Sequence, residues 1–338
     1  MNGNEKVLTI SVAAYNLGDM IRKNLESFVC SKYIDKLEVI VTNDGSKDDT
    51  KEIIEEYSKE YKGSIVLIDK KNEGAGSTVN SGIKYATGRY FKMVDGDDWV
   101  NTKELDNLIE NLIYSDADMV LTNYSVFSSE ENKIIKYDRL NLRENVQLDF
   151  KSIFHSNIYM YNITYKTKIL RENNIILDNG FYTDQEYILF PLPYVHNIVY
   201  FNLDVYVYLV GREGQSMSIN SLKKHIDMHE LVAINLTKFF EKNKWGLSDD
   251  TKRFIVSRII NLLHTHLCIL LSEEENSKLK QNIKSFNIKI RNESKQIYSS
   301  YKKIKKSGLI IYSNYFLTRT VAKSFQRKLD LLKNWERE

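Results

Sequence analysis

Three carboxylates stand within four positions in Asp95-Gly96-Asp97-Asp98, directly after the apolar run Tyr90-Phe91-Lys92-Met93-Val94. Carboxylates this close repel one another and raise each other's pKa. A hard divalent cation such as Mg²⁺ removes the conflict, because it takes one or two carboxylates together with phosphate oxygens. An acidic turn capping the next helix is the plainer alternative. Two further polar clusters follow apolar runs: Tyr15-Asn16 after Val7 to Ala14, and Asp44-Gly45-Ser46 after Leu37-Glu38-Val39-Ile40-Val41. Asp184 and Glu186 lie among Phe181, Tyr182 and Tyr187, where a carboxylate could accept a proton from a substrate hydroxyl or simply start a helix. Arg212 sits in Gly211-Arg212-Glu213-Gly214, a small-residue setting for a loop whose guanidinium fork grips a diphosphate, or for a surface turn.

Those clusters need elements to hold them. Val7–Ala14, Leu37–Val41, Ile65–Ile68, the run ending at Asp95 and Met119–Thr122 read as strands. Between them lie helices: one capped by Asp19, with Met20, Ile21, Leu25 and Phe28 at helical spacing; one over about 48–62 with Ile53, Ile54 and Tyr57; one over about 77–86; and one capped by Thr102, with Leu105, Leu108, Ile109 and Leu112. This alternation predicts a mostly parallel sheet covered on both faces. In such sheets ligands bind beyond the carboxyl ends of the strands, where all three clusters fall, so the rim reads as a nucleotide or phosphate site. Ile198–Phe201 and Val205–Tyr208 read as two more strands. Helical periodicity dominates from 219 onward, through Leu231, Ile234, Phe239, Phe254, Ile255, Ile259, Leu262 and Leu263.

The ordered motifs resemble the family-2 inverting glycosyltransferases of the GT-A fold, of the kind that builds bacterial surface polysaccharide. The matching stretches are Thr9–Asn16, Val39–Thr50, Asn72-Glu73-Gly74, Asn80-Ser81-Gly82-Ile83, Ala86–Tyr90 and Asp95–Asp98. The chain departs from the family at Ala13, where proline is usual, at Val79, where arginine is common, and at Thr183, where an acid usually precedes the base. The resemblance implies a GT-A catalytic domain over 1–218 and a helical region over 219–338. It places Ala14, Tyr15, Asn16, Asp44, Gly74, Asn80, Asp95, Gly96 and Arg212 at the nucleotide-sugar donor. Asp44 is to accept the N–H of the base, and Asp95 and Asp97 are to hold Mn²⁺ or Mg²⁺. His225 becomes a further metal ligand, although its i,i+4 spacing from His229 equally suits a polar helix face. Asp184 aligns with the catalytic base, Glu186 being the reserve. Asp98 either faces the sugar hydroxyls or caps the following segment.

The expected activity is transfer of a sugar from a UDP-sugar to a hydroxyl of a glycan or lipid-linked acceptor. A sugar-nucleotide pyrophosphorylase would want a Gly-rich basic loop after the first strand, where Ala13-Ala14-Tyr15-Asn16 stands. A catalytically silent glycan-binding or assembly subunit would not need Asp44, Asp95, Asp97 and Asp184 together.

Composition fits a globular chain: 338 residues, 42% hydrophobic and 28% charged, with two cysteines. Cys30 and Cys268, each beside apolar residues, read as buried reduced thiols, which suits a cytoplasmic location. No apolar run reads as long enough to span a bilayer. Net charge is +3, yet residues 295–338 carry eleven Lys/Arg against three acids. In that tail Leu317, Val321, Phe325, Leu329 and Leu332 form one stripe, and Arg319, Lys323 and Arg327 another. Residues 309–338 are therefore expected either to rest on the anionic inner face of the cell membrane or to pack on a second copy of the chain. The tail lacks a recognised nucleic-acid module, so no nucleic-acid partner is expected.

Overall fold

A computed structural model describes residues 5–180, 182–211, 219–272, 278–315, 317–318 and 320–321. The chain divides into two compact units, Met1–Glu213 and Gly214–Glu338.

The first unit is built on a ten-stranded sheet. Its strands are β1 (Leu8–Ala14), β2 (Leu37–Asn43), β3 (Ile65–Asp69), β4 (Tyr90–Asp95), β5 (Trp99–Val100), β6 (Met119–Ser128), β7 (Lys133–Asp138), β8 (Gln147–Leu148), β9 (Ile163–Lys166) and β10 (Ile198–Val210). They run in the order β3-β2-β1-β4-β9-β6-β10-β5, with β7 beside β6 and β8 beside β10. The β3-β2-β1-β4 block is parallel, as the alternation predicts. Beyond it the sheet is mixed, because β9 runs antiparallel to both β4 and β6. The two strands expected over 198–208 are one, β10, whose pairing with β6 is irregular between Tyr200 and Tyr206.

Register decides where the site can be. Ala14 pairs with Asn43 and Ala13 with Asp95, so the loops that begin at Tyr15, Asp44 and Gly96 leave the sheet side by side. Six helices accompany these strands: α1 (Met20–Val29), α2 (Thr50–Glu60), α3 (Ala75–Tyr85), α4 (Thr102–Tyr114), α5 (Thr167–Glu172) and α6 (Asp184–Leu189). Ile21, Leu25 and Phe28 of α1, Ile53 and Ile54 of α2, and Leu105, Leu108, Ile109 and Leu112 of α4 are buried, whereas Tyr57 is only half-buried. The α4 cap is Asn101, whose side chain accepts from Glu104 N; Thr102 is the first helical residue and gives its hydroxyl to Ser27 O instead. Asp19 occupies the α1 cap position without a capping hydrogen bond. Cys30 is exposed and Cys268 half-buried, so the expectation of two buried thiols does not hold for Cys30.

The second unit is helical: α7 (Ile219–Lys224), α8 (Ile226–Asn243), α9 (Asp249–Leu271), α10 (Leu279–Glu293), α11 (Lys295–Tyr301) and α12 (Lys305–Tyr312). Val232, Leu236 and Phe240 of α8 pack with Phe254, Ile255, Ile259 and Leu263 of α9 and with Ile283, Phe286 and Ile290 of α10. Leu231, expected on that face, is 49% exposed. Ser248 and Ser294 cap α9 and α11 through Thr251 N and Ile297 N. By length and composition α9 could cross a membrane, contrary to the expectation that no such run exists, yet half of its most apolar window is buried inside the protein. The stripe residues Arg319, Lys323, Phe325, Arg327, Leu329 and Leu332 lie outside the described residues.

Candidate functional site

The turn after β4 is held from three directions. Asn24 of α1, fully buried, donates its amide to Asp95 O (3.1 Å) and Asp98 O (2.8 Å). Tyr206 of β10 donates its hydroxyl to Asp98 Oδ2 and accepts from Asp95 N (3.2 Å). Leu209 N donates to Asp98 Oδ1 (2.8 Å). Asp98 is thus buried, with both oxygens bound to β10; it caps no helix, and its carboxylate is tied to protein rather than presented to a ligand. Burial, then the charges of Asp97 and Asp95, push its pKa well above the usual carboxylate range. Asp95, Asp97 and Asp98 each bring an oxygen within 4.8 Å of the others, the one such metal-competent cluster among the described residues. Gly96 is required where it stands, since a Cβ there would lie 2.5 Å from Ala13 O.

The neighbouring loops are tied just as closely. Ala14 is buried and its carbonyl accepts from Asp44 N (2.8 Å), while Tyr15 stands 47% exposed on the rim. Asn16 Oδ1 accepts from Lys47 N (2.8 Å), and Asn16 N donates to Ser46 Oγ (3.0 Å), which joins the β1 and β2 loops. Asp44, buried, accepts from Glu73 N and Gly74 N (both 2.9 Å) and from Lys70 Nζ (2.8 Å). Its carboxylate folds residues 70–74 back over the end of β2. Gly74 has φ +95°, and a Cβ on it would lie 1.7 Å from Asn179 O, so only glycine fits. Asn80 spends both ends of its amide on Leu177, donating to its carbonyl and accepting from its N–H, each at 2.8 Å. In this fold the Asn80 amide clamps the segment that leads to α6.

That segment separates the two candidate bases. Asp184 opens α6, is half-buried, and accepts from Gln185 Nε2 (2.9 Å); burial pushes its pKa up. Glu186 is fully buried, and its Oε2 accepts from Asp178 N (2.7 Å). Glu186 is thus sealed from solvent with Oε2 spent on the backbone, whereas Asp184 keeps part of its surface exposed. Burial raises the pKa of Glu186 from the ordinary 4.5 to about 8. The folded protein therefore keeps a proton that the unfolded chain loses, and this contribution to stability is complete below about 4.5 and is lost as pH rises toward about 8. Glu186→Gln keeps an acceptor for Asp178 N and has no such loss. Its melting temperature is expected to gain a few degrees on wild type between pH 5 and pH 8; an offset that is equal at both pH values contradicts this.

Tyr161 links the two halves. Burial pushes the pKa of its hydroxyl up, and the negative charges of Asp95, Asp98 and Asp184 add to the shift. The backbone carbonyl of Tyr161 accepts from Lys92 Nζ (2.7 Å), as does Ile163 O (3.3 Å). Lys92 is fully buried, which pushes its pKa down to about 7. Sequence reasoning missed Asn24, Lys92, Tyr161 and Tyr206. The usable signals were an asparagine on the apolar face of α1 and a lysine inside a buried strand. Arg212 lies outside the described residues, and His225, half-buried, immediately precedes α8 in the second unit.

The family model described as Glycosyl transferase family 2 matches residues 9–178. Among curated proteins, glycosyltransferase GlyA of Streptococcus pneumoniae is 26% identical over 67% of this chain and 33% of its own length. Putative glycosyltransferase EpsH of Bacillus subtilis is 26% identical over 50% of this chain and 49% of its own. The chain thus spans a third to a half of the length of these relatives. Among solved structures, S. aureus TarS 1-349 aligns over 95% of this chain and 92% of that one, with a TM-score of 0.68 at 17% identity. The same protein in complex with UDP-GlcNAc gives 0.69 at 18%.

Proposed function

The chain belongs to glycosyltransferase family 2 and has the GT-A fold, and from that premise we propose that it is an inverting, metal-dependent transferase moving a sugar from UDP to a hydroxyl of a glycan or lipid-linked acceptor. The observation that carries this reading is that the turn Met160–Asn162 packs against both α6, which opens with Asp184, and β4, which ends at Asp95, so the proposed proton acceptor and the carboxylate cluster come from distant stretches of sequence to neighbouring elements. The UDP donor is inferred from the UDP-GlcNAc complex of TarS.

The donor set suits a hard cation: Asp95 and Asp97 offer carboxylate oxygens beside the buried Asp98, and a cation relieves the repulsion among the three. Asp95 and Asp97 would hold Mn²⁺ or Mg²⁺, which when bound supplies positive charge to the departing diphosphate. Asp98, Asn24 and Tyr206 fix the turn that presents those two side chains. The loop folded back by Asp44, beside the exposed ring of Tyr15, forms the nucleotide side. Asp184 takes the proton of the acceptor hydroxyl as its oxygen bonds to the anomeric carbon and the bond to diphosphate breaks. Its raised pKa makes it a stronger proton acceptor than a solvated aspartate, and Gln185 holds the carboxylate in place.

The test is a panel of nucleotide sugars incubated with the protein and Mn²⁺. Free UDP released from one of them is expected. Release of pyrophosphate would assign the chain to the pyrophosphorylase class, and no consumption of any donor would leave a silent subunit.

A further inference from the structure

Five tyrosines form a continuous row in the first unit. Tyr159, 38% exposed, meets Tyr124 edge-on with ring centroids 6.1 Å apart. Tyr124 leans on Tyr161 at 5.2 Å, and Tyr161 stacks on Tyr208 at 5.0 Å and lies 4.6 Å from Tyr206. At the inner end the Tyr206 hydroxyl touches Asp98 and the N–H of Asp95. The row therefore runs from solvent to the turn that carries Asp95 and Asp98, and its Tyr161 lies in the turn Met160–Asn162, which packs against α6, the helix that Asp184 opens.

The Tyr206 hydroxyl is needed to hold Asp98, but at the exposed outer end packing alone does not ask for tyrosine, since phenylalanine fills the same space as Tyr159. An exposed tyrosine ring with a hydroxyl at its edge, as Tyr159 offers, matches a pyranose ring, whose C–H face lies on the electron-rich ring while its hydroxyls exchange hydrogen bonds. The cations nearby are committed within the protein: Lys92, fully buried with its Nζ 6.0 Å from the Tyr206 ring centre, donates to the carbonyls of Tyr161 and Ile163. Three cations on or beside β7, the strand that pairs with β6, are already committed: Lys133 to Glu131, Lys136 to Asp138 and Arg139 to Asp204. We propose that the tyrosine row is the acceptor subsite, and that it takes a neutral pyranose ring stacked on Tyr159 and bordered by Tyr161 with its reacting hydroxyl toward Asp184. The proposal rests on the sugar-transfer reading above and names the acceptor class for that site.

Saturation-transfer NMR with UDP and Mn²⁺ present tests it, using neutral methyl pyranosides as probes and glycerol phosphate as an acyclic anionic counterpart. Pyranosides are expected to receive saturation on one C–H face, and glycerol phosphate none. Tyr159→Ala should weaken pyranoside binding about tenfold, the scale of one aromatic stack. Tyr161→Ala should do at least as much, with Tyr161→Phe recovering most of the loss. Tyr114→Ala, at a residue 90% exposed on α4, is the control and should bind as wild type. Tyr159 stands in solvent, so its variant decides the matter even if Tyr161→Ala does not fold. Binding of glycerol phosphate in preference to pyranosides, or unchanged binding in Tyr159→Ala, overturns the proposal. Failure of the sugar-transfer reading shows separately, as a wild type that binds no UDP and consumes no nucleotide sugar.

Discussion

Asp97→Ala is expected to lower turnover by about 10³-fold or more, since a metal ligand that stabilises a departing diphosphate contributes several kcal/mol to the transition state. The structure singles out Asp97 over Asp98 for this test. Asp98 is buried and bound to Tyr206 and Leu209, so its removal would confuse lost chemistry with a collapsed turn. Asp97 is half-buried, and its oxygen lies within 4.8 Å of those of Asp95 and Asp98. Wild-type activity should vanish in EDTA and return with Mn²⁺ or Mg²⁺. Mn²⁺ binding followed by electron paramagnetic resonance gives a readout independent of turnover, and it should weaken in Asp97→Ala. Full turnover after exhaustive chelation would sink the assignment.

Asp184→Asn is expected to cut transfer by about 10²- to 10⁴-fold while leaving UDP affinity, measured by calorimetry, within about twofold of wild type. Asparagine keeps the shape that Gln185 recognises but accepts no proton. The pH profile carries a second signature. A base must be ionised to work, so wild-type transfer rises with pH through the Asp184 pKa, which burial has moved above the ordinary 3.8. That rise should be missing in the residual activity of Asp184→Asn. An unchanged profile, or a loss confined to donor affinity, would place the proton acceptor elsewhere.

The parallel block and its rim could be read from sequence because each strand there ends in an abrupt change of chemistry. Val12-Ala13-Ala14 gives way to Tyr15-Asn16, Val41-Thr42-Asn43 to Asp44-Gly45, and Val94 to Asp95-Gly96-Asp97. The mixed half could be read only in part, through β6 and β10. β9 has four residues and β5 two, too few to show a period, and β10 contains Asn202 and Asp204, which look like a break but only disturb its pairing with β6. Side-chain roles followed the same division. The Asp95 cluster is local and was found whole. What holds it is not local: Tyr206 reaches Asp98 across 108 positions and Asn24 across 74. Likewise nothing in Asp184-Gln185-Glu186 says which acid faces inward, because burial is decided by where the chain around Asp178 comes to lie.

The contacts of Gly74 and Asn80 with residues 177–179 bear on how such an enzyme can change its donor over evolutionary time. The loop folded back by Asp44 and the stretch leading to Asp184 fit like peg and socket: one has no room for a Cβ, and the other offers a backbone N–H and carbonyl to a single amide. The unit of inheritance is therefore not a contiguous domain. A recombination crossover anywhere between residues 83 and 176 joins a peg from one parent to a socket from the other. Grafts of a new nucleotide specificity should survive only when residues 72–82 travel together with 177–186.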